Sequence, residues 1–238
     1  MEYQLTVIVP VYNEEDNMEA LESHLVSFLQ TSSLEACVLF VDDGSKDGSL
    51  SCIKGLCNKI SDFYYISLEK NSGLSAALKA GIDVCNTKYV GYIDADLQTH
   101  PEDFNMLCPY LPSFELVMGI RTNRQDSGFK KFQSKIANSI RRSFTHDGVS
   151  DTGCPLKVMH TDYAKRIPFF TGMHRFLPAL IQLQHGRVKQ VSVHHYPRVA
   201  GVSKYNFRNR LVSPFIDCFA FQWMRSRYIN YVIKDRSL

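Results

Sequence analysis

The sequence lacks any long hydrophobic run. Nowhere in its 238 residues is there an apolar stretch of about 18, the length that a helix needs to span a bilayer. Residues 1–10 contain one short apolar run and no basic start, which is unlike a secretory signal. We therefore expect neither a membrane-spanning helix nor a signal peptide.

Paired cysteines are also missing. The seven cysteines are irregularly spaced, are odd in number and include no C-x-x-C pair. This pattern suggests neither a zinc site nor a disulfide framework. Because reduced cysteines are typical of cytoplasmic proteins, we expect a cytoplasmic location.

A glycine-rich G-x-G-x-x-G turn does not follow the first apolar run, which leads into Pro10-Val11-Tyr12-Asn13 instead. The missing fingerprint argues against a dinucleotide-dependent oxidoreductase. The net charge of +3 is too small to indicate a nucleic-acid partner, and we expect none. Basic residues nevertheless concentrate in 121–142 and from 198 onward, which favours an anionic partner such as a phosphate or a membrane surface.

The first half of the sequence contains a regular alternation of strand and helix signals. Apolar, β-branched runs predict five strands, and segments with helical spacing predict the helices between them. The predicted strands are 5–10, 37–41, 63–68, 89–93 and 116–120, and the predicted helices are 13–29, 49–60 and 75–84. This order predicts an α/β fold with a mainly parallel central sheet flanked by helices.

The second half is less regular. Its patterns predict a basic helix at 130–144, a helix at 173–185 kinked by Pro178, a strand at 188–196, and helices over 211–232 interrupted near Pro214. The last segment mixes aromatic side chains with arginines. An amphipathic segment of this kind lies either in a membrane headgroup layer or against a protein core, and the pattern does not choose between them.

Polar residues cluster where the predicted strands end, and ligands of parallel sheets bind beyond these carboxyl ends. Asp94 and Asp96 flank one small residue after a predicted strand, with Gln98 two residues on. Alternate side chains of an extended segment point the same way, so these oxygens can hold one Mg²⁺ or Mn²⁺. A cation there would neutralise the growing charge of a diphosphate leaving group.

A second acidic pair, Asp42 and Asp43, enters a Gly-Ser turn after another predicted strand. These carboxylates could accept hydrogen bonds from a base or a ribose, or form an Asx turn that precedes the next helix. Glu14 could contact the same nucleoside or stabilise a helix N-terminus. Gly73 has no side chain and would let its backbone approach a ligand.

The segments VPVYNEEDN, VDDGSKDGS, NSGLSAALKAG, YIDADLQTHPED and MGIR, in this order, resemble family-two glycosyltransferases of the GT-A fold. The segments SDTGCPLKVM, GMHRFLPAL and HYPRVAGVSKYNFRNR narrow the resemblance to the dolichol-phosphate mannose synthase-like group, most closely its bacterial members that load a sugar onto undecaprenyl phosphate. The match runs from residue 5 to about 227. It implies a metal-dependent, inverting hexosyltransferase that moves a sugar from a UDP- or GDP-linked donor to a polyprenyl (undecaprenyl or dolichyl) phosphate.

The resemblance also implies residue roles. The nucleotide-sugar site would contain Pro10, Tyr12, Glu14, Asp42, Asp43, Gly73, Ser75 and Asp94. Asp94, Asp96 and Gln98 would hold Mg²⁺ or Mn²⁺. The acceptor phosphate would contact Arg121, Lys130 or Lys131, Ser134, Arg198, Ser203 and Lys204. Asp96, Arg121 and Asp151 would act in catalysis. Because a phosphate acceptor is already ionised, we expect Asp151 to orient groups or bind the sugar rather than serve as a base. A structural role as a turn or helix-capping aspartate is the alternative.

Two departures from the family pattern bear on these expectations. Thr99 and His100 stand where a proline and an acid are common, which should change the local turn rather than the metal site. Many relatives continue into transmembrane helices, so this chain is either truncated, docked peripherally at the cytoplasmic face of the membrane, or anchored by a separate membrane subunit. A homo-oligomer is compatible with each alternative. We expect a GT-A catalytic domain at 1–210 and an amphipathic, membrane-associated segment at 211–238.

Two other functions stay open at this stage. A glycosyltransferase that elongates a saccharide would need a base to deprotonate a hydroxyl, and would not need Lys130, Lys131 and Ser134. A non-catalytic nucleotide-sugar-binding subunit would not need the intact Asp94 and Asp96 pair.

Overall fold

A computed structural model of the chain describes residues 2–121, 138–197, 207–229, 231 and 234–235, and the side chains of its last helix are described from Phe215 onward. The described strands belong to one seven-stranded sheet. They are β1 (Leu5–Val11), β2 (Ala36–Asp42), β3 (Phe63–Ser67), β4 (Tyr89–Tyr92), β5 (Leu116–Arg121), β6 (Lys157–His160) and β7 (Val188–Val193). Their spatial order is β3-β2-β1-β4-β6-β5-β7.

The helices divide between two apolar clusters that the sheet separates. They are α1 (Met18–Thr31), α2 (Ser49–Lys59), α3 (Leu74–Val84), α4 (Phe104–Leu107), α5 (described over 138–145), α6 (Thr161–Lys165), α7 (Leu177–Leu183) and α8 (Phe207–Arg227). Short 3₁₀ turns occupy Glu15–Asn17, Pro101–Asp103, Cys108–Tyr110 and Met173–Arg175. None of the described helices is both long enough and apolar enough to cross a membrane.

The strand directions bring several strand ends to one edge of the sheet. β1 pairs in parallel with β2 and β4, and β2 pairs in parallel with β3. β6 is antiparallel to both β4 and β5, so β5 and its parallel partner β7 run in the same direction as β4. β1, β2, β4 and β5 therefore end where β6 begins, and we call this the carboxyl edge.

The central strands are buried on both faces, as their continuous apolar runs predict. Along β1, Val7 and Val9 pack in the cluster that contains Phe28 of α1, whereas Ile8 packs in the cluster that contains Leu78 of α3. This alternation follows from the two-residue repeat of a strand. Burial of each such side chain stabilises the fold by about 1.5–3 kcal/mol, which fixes the sheet that carries the carboxyl edge.

The five strands and the helices predicted over 49–60 and 75–84 are confirmed within one residue at each end. The helix predicted over 13–29 is also present, but it begins at Met18, after the 3₁₀ turn over Glu15–Asn17, and ends at Thr31. β6 was not predicted. Its four residues begin with Lys157 and end with His160, so neither a continuous apolar run nor a clean alternation marks them. With β6 between β4 and β5, the sheet is mixed, although the other four pairings are parallel.

Three predictions in the second half need correction. Pro178 does not kink a helix; it lies in the first turn of α7, where its missing N–H has no intrahelical partner to lose, and residues 173–175 form a separate 3₁₀ turn. The strand predicted to reach residue 196 ends at Val193, and the N–H of Tyr196 donates to the carbonyl of Gln98 at 3.0 Å. α8 extends from Phe207 to Arg227 through Pro214, so the interruption predicted there is wrong. A proline removes only one backbone hydrogen bond from this helix of 21 residues.

Candidate active site

We call the part of the carboxyl edge formed by the loops after β1 and β2 the nucleoside end, because the sequence predicts that the donor nucleoside binds there. It includes Asp42, the last residue of β2, and Asp43. The carboxylate of Asp42 accepts hydrogen bonds from the backbone N–H of Ser45 at 3.1 Å and from the hydroxyl of Ser67 at 2.7 Å. The intervening Gly44 has a φ of 66°, and a Cβ there would meet the backbone of Lys70 at 2.5 Å. Asp42 therefore closes the turn that only glycine can make at this point.

Asp43 holds the loop that precedes α3. Its carboxylate accepts hydrogen bonds from the N–H groups of Ser72 at 2.7 Å and Gly73 at 2.8 Å, and from Nδ2 of Asn71 at 2.9 Å. Burial raises the pKa of Asp43, and the two backbone donors oppose that shift. Gly73 adopts a φ of 87°, which brings its N–H to this carboxylate.

The loop after β1 is tied to the loop after β2. The N–H of Asn13 donates to the hydroxyl of Ser45 at 3.0 Å, and the N–H of Glu14 donates to Ser49 at 2.8 Å. The Glu14 carboxylate accepts from Nδ2 of Asn17 at 2.7 Å. The half-buried Pro10 and Tyr12 precede this loop, so the predicted nucleoside residues from β1 and β2 do lie at one edge.

Ser75 makes a contact that the sequence did not predict. Its hydroxyl accepts a hydrogen bond from the N–H of Gly172 at 3.1 Å and lies 2.9 Å from Nδ1 of His174. Burial lowers the pKa of His174 to about 3, so its ring is neutral and Nδ1 can accept the serine proton. The start of α3 is thus fixed to the turn before α7.

We call the other part of the carboxyl edge the transfer end, because the sequence predicts that the sugar is transferred there. It consists of the Asp94–Gln98 segment after β4 and the pair formed by Arg121 and Asp151. Asp94, Asp96 and Gln98 are partly exposed, whereas the residues between and after them, Ala95 and Leu97, are buried. The three polar side chains are therefore partly accessible to solvent, although the segment is not extended as the alternation argument assumed. The segment is a turn rather than a strand, and Leu97 adopts a φ of 55°.

The electrostatics of Asp94 fit a divalent cation. Burial and the neighbouring charge of Asp96 raise the pKa of Asp94 to about 6, although a hydrogen bond from the Tyr92 hydroxyl at 2.6 Å opposes the shift. A carboxylate whose ionisation is opposed by a neighbouring carboxylate is stabilised by a cation between the two. Together with Gln98 they offer oxygen atoms of the kind that Mg²⁺ and Mn²⁺ prefer as ligands.

Arg121, the last residue of β5, forms a bidentate ion pair with Asp151. Its Nε donates to Oδ2 at 2.9 Å and its Nη2 donates to Oδ1 at 2.8 Å. The two side chains are only 13% and 9% exposed. Gly153 leaves room for the guanidinium, because a Cβ there would lie 3.0 Å from Nη2. The carboxylate of Asp151 therefore fixes the orientation of Arg121.

Lys157 is a buried lysine close to the charges of Asp94, Asp151 and Arg121, and the sequence pattern did not single it out. Its side chain is buried, its Nζ donates to the carbonyls of Thr152 and Cys154, and it lies 5.6 Å from the centre of the Tyr92 ring. Burial lowers the pKa of Lys157, while the charges of Cys154, Asp151 and Asp94 act in the opposite direction. A lone lysine in an apolar run was the signal that could have revealed it.

The remaining predicted acceptor residues lie outside the described residues. They are Lys130, Lys131, Ser134, Arg198, Ser203 and Lys204. The carboxyl edge nonetheless brings together all the predicted acidic groups and Arg121.

A family model described as glycosyl transferase family 2 matches residues 6–168, which include both ends of the carboxyl edge. The chain belongs to this family. As a family-2 member, it carries its acidic strand ends and the Arg121–Asp151 pair within the matched region.

Curated relatives of this family-2 chain are named for transfer to polyprenyl phosphates. It is 29% identical over 237 residues to a dodecaprenyl-phosphate galacturonate synthase of Rhizobium johnstonii, covering 94% of this chain and 69% of the relative. It is 33% identical over 222 residues to an undecaprenyl-phosphate 4-deoxy-4-formamido-L-arabinose transferase of Salmonella choleraesuis, covering 90% and 66%. The chain thus spans about two thirds of these relatives' lengths.

Solved structures confirm the GT-A type of fold. A mannosyltransferase from Pyrobaculum calidifontis, in complex with GDP-Man and Mn²⁺, superposes with a TM-score of 0.68 at 18% identity, over 93% of this chain and 64% of that one. A glucosyl-3-phosphoglycerate synthase from Mycobacterium tuberculosis, with Mn²⁺, UDP-Glc and phosphoglyceric acid, superposes with a TM-score of 0.69 at 15% identity, over 96% and 81%.

Proposed function

We propose that this family-2 chain is an inverting glycosyltransferase that moves a sugar from a nucleotide-sugar donor to a polyprenyl phosphate. The observation that carries the proposal is the pairing of Arg121 with Asp151 on the same sheet edge as Asp94 and Asp96. A fixed guanidinium beside a cation site suits a reaction in which both acceptor and leaving group are phosphates. The names of the two curated relatives support the polyprenyl phosphate as acceptor.

The donor nucleoside would bind between the loops after β1 and β2. Asp42 and Asp43 shape this pocket through their bonds to the 44–45 turn and the 71–73 loop, and Pro10, Tyr12 and Glu14 would line its other side. The solved neighbours carry GDP-Man in one case and UDP-Glc in the other, which supports a nucleotide-sugar donor of either base.

Asp94, Asp96 and Gln98 would hold the divalent cation, which as Mn²⁺ accompanies the nucleotide sugar in both neighbours. When bound, the cation supplies positive charge that neutralises the departing nucleoside diphosphate. The choice between Mg²⁺ and Mn²⁺ does not alter this role, because both prefer oxygen ligands.

The acceptor phosphate would bind at Arg121. In this proposal Asp151, which accepts hydrogen bonds from Nε and Nη2 of Arg121, is a positioning residue rather than the base. One phosphate oxygen attacks the anomeric carbon while the bond from that carbon to the donor diphosphate breaks, and the electron pair leaves with the diphosphate. No proton has to move, because the acceptor is ionised at neutral pH. We assign the remaining phosphate contacts to the basic residues and Ser134 outside the described part.

α8 offers a surface that suits a lipid headgroup layer, and we propose peripheral docking at the cytoplasmic face of the membrane through it. Phe215, Phe219 and Trp223 are 46%, 54% and 67% exposed at helical spacing, and Arg225 follows them. On the opposite side of the helix, the side chain of Phe221 is buried in the apolar cluster that contains α3 and α7. Aromatic and basic groups on one amphipathic helix favour the interface. In this proposal residues 211–238 contact the membrane and 1–210 form the catalytic domain.

A lipid-extraction assay tests the proposed function. The full chain is incubated with Mn²⁺, undecaprenyl phosphate and a panel of radiolabelled nucleotide sugars, and we expect label in the organic phase from at least one donor. Label that enters a saccharide and never the lipid would favour the saccharide-elongating alternative. Donor binding without turnover on any acceptor would favour a non-catalytic subunit.

A variant of Lys131 separates the acceptor from the donor. We expect Lys131→Ala to weaken use of the lipid phosphate while calorimetry gives an unchanged affinity for the donor. Lys59→Ala, which alters an exposed lysine of α2, is the matched control. A loss of donor affinity in Lys131→Ala would contradict its assignment to the acceptor phosphate.

A further inference from the structure

A cluster of potential nitrogen and oxygen ligands lies between α1 and the turn that follows Gln98. His24 of α1, His100 and Glu102 bring one potential ligand atom each within 4.8 Å of one another. The two imidazole rings are 4.1 Å apart between centres, and Nδ1 of His24 is 3.2 Å from Oε1 of Glu102. All three side chains are partly exposed, so an ion and a water can reach them.

The carboxylate of Glu102 is incompletely satisfied by the protein. Its Oε2 is buried, and no hydrogen-bond partner for it exists among the described residues. A buried carboxylate oxygen without a partner costs free energy that a positively charged ligand would recover. This oxygen is the second observation, beside the spacing of the ligand atoms, that points to a cation.

The cluster is held in place by its surroundings. His100 stacks on Tyr196 with ring centres 3.7 Å apart and an interplanar angle of 5°. The N–H of Tyr196 donates to the carbonyl of Gln98, and Pro101 begins the 3₁₀ turn that carries Glu102. Ligands that are already ordered lose little conformational entropy on binding an ion.

We propose that His24, His100 and Glu102 form a Zn²⁺ site that joins α1 to the turn following the Asp94–Gln98 segment. Two imidazoles and one carboxylate, with water in the fourth position, are a ligand set that zinc accepts. The oxygen-only groups at Asp94 and Asp96 favour Mg²⁺ or Mn²⁺ instead, so ligand chemistry separates the two sites. The cysteine pattern gave no hint of this site, because its ligands come from histidines far apart in the sequence.

Metal titration of the full chain tests the site. After treatment with a chelator, the protein is titrated with Zn²⁺ in a calorimeter and with Co²⁺ in a spectrophotometer, where tetrahedral Co²⁺ absorbs visible light. We expect one tight equivalent, a visible Co²⁺ band, and a higher melting temperature with Zn²⁺. His24→Asn and His100→Asn should each weaken Zn²⁺ binding by about tenfold or more and remove the band, since even loss of an outer-sphere partner costs 10- to 100-fold.

Two control variants make the test specific. His185→Asn, at an exposed histidine between α7 and β7, should leave Zn²⁺ binding unchanged. Asp96→Ala should also keep the tight Zn²⁺ equivalent and the Co²⁺ band, because it alters only the oxygen-ligand site. Should either histidine variant unfold, Glu102→Gln keeps the side-chain shape and should weaken Zn²⁺ binding in the same way.

Some outcomes would overturn the site. Zn²⁺ binding that survives both histidine variants, or that disappears only in Asp96→Ala, would place the ion elsewhere. A stability loss in His24→Asn that is the same with chelator and with Zn²⁺ would mean that the cluster is only a hydrogen-bonded and stacked packing unit.

Discussion

The two ends of the carboxyl edge use their acidic side chains differently. At the nucleoside end, Asp42 and Asp43 are buried and bind the N–H groups of neighbouring loops. At the transfer end, burial and the charge of Asp96 raise the pKa of Asp94. Asp151 forms an ion pair with Arg121. Acidic residues at this edge can therefore either hold loops in place or supply charge to a site. The groups that donate hydrogen bonds to each carboxylate distinguish the two roles.

The difference has a physical origin in the strands themselves. After β2 lie the turn at Gly44 and the 71–73 loop, whose backbone N–H groups donate to Asp42 and Asp43. Next to β4 lies the antiparallel β6, which begins with Lys157 and follows the turn that carries Asp151. The transfer end thus consists largely of charged side chains. A bound cation or phosphate would change the pKa values of these groups.

The largest expected effect is at the transfer end. We predict that Asp96→Ala lowers turnover with Mn²⁺ by about 10³-fold or more, because charge stabilisation by a metal contributes several kcal/mol to the transition state. Stability should change by only about 0.5 kcal/mol, since the side chain is partly exposed. Initial rates and a denaturant melt check this, with Asp83→Ala on α3 as the control. Near-normal turnover in Asp96→Ala would refute the metal assignment.

At the nucleoside end we expect a larger effect on the stability of the fold than at the transfer end. Asp43→Asn should destabilise the fold by about 2–3 kcal/mol. The carboxylate accepts from Ser72, Gly73 and Asn71 with two oxygens, whereas an amide has one oxygen that accepts and one nitrogen that cannot. Urea unfolding measures the change, and Asp83→Asn, at an exposed position, should cost less than about 0.5 kcal/mol. Equal stabilities of the two variants would remove the distinction between the ends.

The Arg121–Asp151 pair gives a third comparison. We predict that Asp151→Asn lowers kcat/KM for the lipid phosphate by about 10- to 100-fold, because the guanidinium loses its bidentate partner and its orientation. Donor affinity in a calorimeter should stay the same. The shape of the pH–rate profile should also stay the same. An acidic limb that disappears in the variant would show that Asp151 is a base after all.

The smallest effect concerns the link between Ser75 and His174. Burial holds the pKa of His174 at about 3, below its value of about 6.5 in an unfolded chain. As pH falls below 6.5, the unfolded chain binds a proton that the folded chain does not, so this histidine lowers stability on acidification. Between pH 7 and 5 we expect it to cost about 1–2 kcal/mol. His174→Asn should flatten that part of the stability curve, and an unchanged slope would contradict the assignment.

The sequence located most of the sheet and the strand ends that carry chemistry. The continuous apolar runs at β1 and β2 and the abrupt change to acid at Asp42 and Asp94 predicted strands and a polar edge, because burial on both faces leaves a strong pattern. β6 was not predicted because its four residues, which include a buried lysine, form neither a continuous apolar run nor a regular alternation. The predicted kink at Pro178 was wrong because a proline in an apolar helical pattern is compatible with either a kink or the first turn of a helix, and the local pattern did not distinguish the two.

By itself, then, the sequence determined the fold class, the family, and the acidic residues at the strand ends. These features follow from local hydrophobicity and from motifs that are contiguous along the chain. Only the tertiary structure decided which partner each charged group has: Arg121 with Asp151, Lys157 beneath Tyr92, Ser75 with His174, and His24 with His100 and Glu102. Such pairs join residues that are far apart in the chain, and they form only when the strand order sets the distances between them.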